Sequence, residues 1–79
     1  MPTVFQLQGF RFFFYSNEGD PREPVHIHVR KSGYEAKLWI EPVGLASNDG
    51  FDAKTLRALA KMVEDNKLLI ERAWNEHFS

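Results

Sequence analysis

The sequence predicts an α+β fold: an antiparallel sheet of four or five strands built from two hairpins, with two C-terminal helices on one face. Three observations lead there. Residues 25–30 alternate strictly, with Val25, Ile27 and Val29 on one side and His26, His28 and Arg30 on the other. Successive strand side chains point to opposite faces, so this is the pattern of a half-buried strand. Two polar-Gly pairs, Gln8-Gly9 and Ser32-Gly33, separate apolar runs as two-residue hairpin turns do. Finally, Leu56, Leu59, Ala60 and Val63 recur at helical spacing, and the pattern resumes at Leu69, Ile70, Ala73, Trp74 and Phe78.

In order, Thr3–Leu7 reads as a strand and Phe10–Tyr15 as its return. Pairing across Gln8-Gly9 sets Leu7 opposite Phe10, Phe5 opposite Phe12 and Thr3 opposite Phe14. Gln6, Arg11, Val4, Phe13 and Tyr15 then fall on the other face. Ser16–Glu23 is polar, holds Asn17, Gly19, Asp20 and Pro21, and reads as a loop. The histidine strand runs to about Lys31, and Tyr34–Ile40 returns with Ala36, Leu38 and Ile40 on the apolar side. Closing the Ser32-Gly33 turn pairs Arg30 with Glu35, His28 with Lys37 and His26 with Trp39. Both hairpins then share one apolar side, which fixes the register. Glu41-Pro42 ends this strand, Val43–Ser47 is a short edge strand, and Asn48-Asp49-Gly50 a turn. Asp52 suits the N-cap of a helix over 52–64, with Phe51 and Leu56 placed as a hydrophobic staple. A second helix covers 67–78, capped by Asn66; one kinked helix is the alternative. The helices pack on the Phe10/Phe12/Phe14 side.

Composition narrows the classes. At 79 residues the chain is one small domain, residues 1–79, near the lower end of what folds alone. The absence of cysteine rules out disulfides and thiolate metal sites and agrees with a cytoplasmic protein. No apolar run is long enough for a membrane span, and Met1-Pro2-Thr3 does not read as the start of a signal peptide. Aromatics make up 14% of the residues, enough large rings to give so short a chain a core. A net charge of −1 offers nucleic acid no global attraction, so such binding needs a local patch. No Ser-His-Asp order, Gly-rich phosphate loop or carboxylate pair is present.

The face away from the helices carries the candidate chemistry. Alternation gathers there Arg11, Phe13, Tyr15, His26, His28, Arg30, Lys37 and Trp39, with Gln6 and Glu35. The two imidazoles lie roughly 6.5–7 Å apart along the strand. One expectation is nucleic-acid contact: rings stack bases while Arg11, Arg30 and Lys37 hold phosphates. As an enzyme, the chain would cleave RNA without metal. His26 and His28 would act as base and acid, beside Tyr15, with Arg30 stabilising charge. An alternative is zinc held by His26 and His28 with His77, Glu35 or Asp20 as third ligand, although His-x-His alone is a weak signal. The plain structural alternative has Trp39 cover His26 and Glu35 pair with Arg30. Phe13, Val4 and Trp39 would then form a second small core or a homodimer patch. Trp74 and Phe78 read as core residues, and His77 as a surface residue near a helix C-terminus.

Several segments resemble a family of small bacterial proteins, the domain of unknown function 4160 family. They are Met1-Pro2-Thr3, Gly9-Phe10-Arg11-Phe12-Phe13-Phe14, Pro24-Val25-His26-Ile27-His28-Val29, Glu35-Ala36-Lys37 and Ala73-Trp74-Asn75-Glu76-His77-Phe78. The likeness spans nearly the whole chain with the motifs in order. It departs before His-x-His, where Arg22-Glu23-Pro24 replaces the two prolines of the common form. The resemblance implies a component of a toxin–antitoxin-like pair, encoded beside another small protein that is its cognate partner, with RNA or DNA as a further target. It points to His26 and His28 as motif residues and to Trp74 as a packing position.

Overall fold

The computed structural model describes residues 3–16 and 23–78. Asn17, Gly19, Asp20 and Pro21 of the expected loop therefore lie outside the described residues, as do Met1-Pro2 and Arg22. The elements are β1 (Thr3–Leu7), β2 (Phe10–Phe13), β3 (His26–Lys31), β4 (Tyr34–Ile40), β5 (Val43–Asp49), α1 (Ala53–Asp65) and α2 (Lys67–Phe78). The strands form one antiparallel sheet in the order β1-β2-β3-β4-β5, each beside its neighbour in sequence.

Local chemistry explains the meander. Gln8 and Gly9 have φ of 53° and 83°, and Ser32 and Gly33 have 54° and 84°. Positive φ at both central residues gives the tight turn whose twist matches two antiparallel strands. The β3–β4 register is the expected one, with His26 opposite Trp39, His28 opposite Lys37 and Arg30 opposite Glu35. Glu41-Pro42, joined by a cis peptide, links β4 to β5.

Three expectations need correction. Thr3 pairs with Phe13 rather than Phe14, because the register shifts between Thr3 and Phe5 and leaves Val4 as an extra residue in β1. The return strand stops at Phe13, not Tyr15. The edge strand β5 runs on through Asn48 and Asp49, where a turn was expected. Asn48 and Asp49 stay on the ladder opposite Ala36 and Glu35, past a second irregularity beside Leu38.

Phe10, Phe12, Phe14, Ile27, Val29, Ala36, Leu38 and Ile40 form the sheet side of the core. Leu59, Met62, Val63, Ile70 and Trp74 from the helices cover it. Phe12 is fully buried and stacks on Phe5 with ring centroids 4.3 Å apart. Phe14 meets Trp74 edge-on at 5.3 Å, and Trp74 meets Phe78 at 4.3 Å. Burying each large ring contributes about 1.5–3 kcal/mol, which is how so few residues hold two layers together.

Asp52 caps α1 as expected: its Oδ1 accepts from the Thr55 N–H at 2.8 Å. That bond holds the Asp52 carboxyl below the usual carboxylate range. Just upstream, the Asn48 amide both donates to the Phe51 carbonyl at 2.9 Å and accepts from its N–H at 3.1 Å, fixing the passage from sheet to helix. Asn66 serves both helices. Its carbonyl accepts from the Ile70 N–H at 3.0 Å, opening α2, while its side-chain Nδ2 donates to the Met62 carbonyl at 2.8 Å, closing α1. No helix among the described residues is long and apolar enough to cross a membrane.

Candidate binding site

The face of β2, β3 and β4 opposite the helices is built by parity. Arg11 pairs with Arg30 and Phe13 with His28 across β2–β3, and β4 adds Glu35, Lys37 and Trp39. Two guanidinium groups directly opposite each other repel, and the side chains around them offset this. The Phe13 ring lies 4.9 Å from the Arg11 guanidinium carbon and 5.6 Å from that of Arg30, offering both a π face. Glu35 neutralises Arg30: its Oε1 accepts from Arg30 Nη2 at 2.6 Å and from Nε at 3.2 Å. The hydrogen bond to Glu35 raises the Arg30 pKa further above its ordinary value. Tyr15 completes the cluster. Its hydroxyl donates to the Glu35 carboxylate, 3.0 and 2.9 Å from the two oxygens, and accepts from Arg30 Nη2 at 3.2 Å.

The histidines are not on an open surface, which corrects the sequence-based expectation. His26 is fully buried and His28 is 7% exposed. His28 stacks against Phe13 at 5.6 Å and meets the edge of Tyr15 at 4.5 Å, with its Nδ1 3.6 Å from Glu35 Oε2. His26 lies beyond the last β2–β3 pair, Phe13 with His28. Its ring is 5.8 Å from Trp39 of the sheet and 4.9 Å from Trp74 of α2, and 5.2 Å from His28. Its Nδ1 is 2.9 Å from the Pro24 carbonyl. A carbonyl only accepts, so Nδ1 carries the hydrogen in this contact. Strand parity put the imidazoles on the right side; covering by Phe13, Tyr15, Trp39 and Trp74 removed them from solvent.

Phe13, expected to contact a ligand, is itself fully buried. Trp39, Tyr15, Lys37, Glu35 and Arg11 remain half-buried, and Arg30 exposed. Lys37 Nζ sits 3.0 Å from Glu23 Oε1 and 4.7 Å from the Trp39 ring. His77 is not with the other histidines: its ring lies 6.1 Å from Phe14 and 4.5 Å from Phe78, at the end of α2. Among the described residues no three His, Cys, Asp or Glu side chains are placed to hold a metal ion. Asp20, the other candidate ligand, lies outside them.

The arrangement suits binding rather than proton transfer. The rings that could act as acid and base are enclosed, while the groups at the surface are a tryptophan, a tyrosine hydroxyl and paired ions. Glu35 is the residue on which this face depends most, and its place opposite Arg30 was readable from the hairpin register. The approach of Trp74 to His26 has no counterpart in any local pattern.

Fold and face together define a small α+β domain with a five-stranded meander, helices on one side and an aromatic, ion-paired surface on the other. Residues 9–75 match the family model described as Domain of unknown function (DUF4160), and the chain belongs to that family. No curated protein and no solved structure matches the chain.

Proposed function

We propose that this chain is a component of a toxin–antitoxin-like pair in the cytoplasm. It binds a small cognate protein, encoded beside it, through the sheet face of Arg11, Tyr15, Arg30, Lys37 and Trp39. One observation supports a protein partner over RNA. Arg30 is matched by Glu35 and Lys37 by Glu23 within the chain, so phosphates meet cations already balanced by carboxylates. A protein surface is better served, because it can use Trp39 and the Lys37 and Arg30 stems as well as their charges. RNA cleavage by His26 and His28 is not supported, since a scissile phosphate reaches His28 only if Tyr15 or Phe13 moves and His26 only if Trp39 or Trp74 moves.

The test is co-expression of the tagged full chain with the product of the adjacent gene. Recovery of a stoichiometric complex is the expected result. Trp39→Ala and Lys37→Glu should each weaken it at least tenfold while the circular dichroism of the chain stays unchanged. Failure of the neighbour's product to co-purify overturns the reading, and RNA in the eluate that survives high salt redirects it to nucleic acid. Growth arrest on inducing this chain alone, relieved by the neighbour, assigns it the toxin role; unimpaired growth assigns it the other.

A further inference from the structure

The open edge of the sheet at β5 has three features that the fold leaves without a purpose. Among the described residues, β4 is the only strand beside β5. From Val43 to Asn48 this edge has no charge and no proline, the usual guards against strand addition, and Leu45 on it is 48% exposed. Gly44 has no positive φ, and a Cβ there would meet nothing within 4 Å among the described residues. The fold therefore does not require glycine at this position, although glycine weakens a strand. Its cross-strand neighbour is Trp39, so the missing side chain leaves a notch beside the indole. At the other end Asp49 pairs directly with Glu35, a like-charge pair that is unfavourable as it stands. Glu35 is engaged by Arg30 and Tyr15. The Asp49 side chain makes no hydrogen bond or ion pair among the described residues. Both carboxylates line a surface depression of about 470 Å³, with Arg30, Ser47 and Asn48.

We propose that β5 accepts an extended strand of the cognate protein. A basic side chain of that strand meets Asp49 beside Glu35, and an apolar or aromatic side chain lies over Gly44 against Trp39. This rests on the reading of the chain as a protein-binding component and states how the partner docks. Glu35 and Trp39 are four residues apart on β4 and share a face, and the irregularity in β5 absorbs its extra residue. An incoming regular strand, antiparallel like every other pair in the sheet, therefore presents the basic residue first and the apolar one four positions later. Charge complementarity excludes a second copy of this edge as the occupant, because Val43–Asp49 contains no cation to meet Asp49.

The probe is a fluorescent peptide, Thr-Lys-Thr-Val-Thr-Phe-Thr, titrated against the full chain, with a counterpart carrying Glu in place of Lys. The Lys peptide should bind at least tenfold more tightly than the Glu peptide, and Asp49→Lys should reverse that order. Gly44→Val should weaken the Lys peptide at least tenfold while leaving the melting temperature unchanged or higher, since the added side chain has room. Equal binding of the two peptides, binding of neither, or full binding by Gly44→Val overturns the proposal. The complex with the adjacent gene's product separates the two claims. If it forms with wild type and with Gly44→Val alike, edge docking fails and the partner reading stands. If it never forms, the partner reading fails and the peptide titration alone decides the edge.

Discussion

Phe13→Ala is the substitution that most directly tests how the sheet's second face is held. Alternation alone makes Phe13 a surface ring whose loss should cost only binding. In the structure its side chain is fully buried, stacked on His28, edge-on to Tyr15 at 5.2 Å, and approached by both Arg11 and Arg30. Truncating a buried Phe to Ala costs about 3–5 kcal/mol, from lost burial and the cavity left behind. A domain of 79 residues has about 4–12 kcal/mol of stability in total. The variant should therefore lose a large share of it, and the melting temperature should fall by about 12–40 °C at the usual 4–8 °C per kcal/mol for this size. Urea titration with an unchanged slope checks that the loss is one of stability and not of compactness. Trp39→Ala, at a half-buried position, should shift melting far less. A fall of less than about 5 °C for Phe13→Ala would mean that this ring does not hold the face together, and would remove the argument that the imidazoles are enclosed.

Three further expectations follow from single contacts. Gly50 has φ of 108°, and a Cβ there would lie 2.2 Å from a Tyr34 ring carbon, so Gly50→Ala should destabilise by about 1–3 kcal/mol in a urea melt. Asn48→Ala removes both bonds to Phe51 and should cost about 1–3 kcal/mol by the same assay. Asp52→Ala should lower the melting temperature at pH 7. The Thr55 bond lowers the folded-state pKa of Asp52, so its stabilisation is present above the unfolded carboxylate value of about 3.9 and fades as pH falls through the folded value. The gap between wild type and variant should therefore narrow in strong acid, to what a neutral carboxyl still contributes as a cap; a gap that does not narrow there refutes the charged cap.

Much of the sheet was legible because two kinds of signal agreed. Gln8-Gly9 and Ser32-Gly33 supplied turns, and the alternation on either side of Ser32-Gly33 left one register that kept Ile27, Val29, Ala36 and Leu38 together. What alternation cannot supply is the cover over a face. It put His26 and His28 on the side away from the helices, but their burial depends on Tyr15, just past the end of β2, and on Trp74 near the far end of the chain. The extra residue in β1 and the irregularity in β5 were equally silent, because a bulge changes pairing without changing which residues are apolar. Asn48-Asp49 has the composition of a turn, yet ladder bonds to β4 and the Asn48 bracket around Phe51 keep it extended.

Asn66 gives the C-terminal half of the molecule a fixed phase. A single residue separates the helices, and its hydrogen bonds tie both to Met62 and Ile70. Adding one residue there would turn α2 by roughly 100° and advance it about 1.5 Å. Ala73 would then point where Trp74 now does, and the imidazole of His26 would lose its indole neighbour. The spacing of two helices on one side of the sheet thus sets the packing of a ring that belongs to the other.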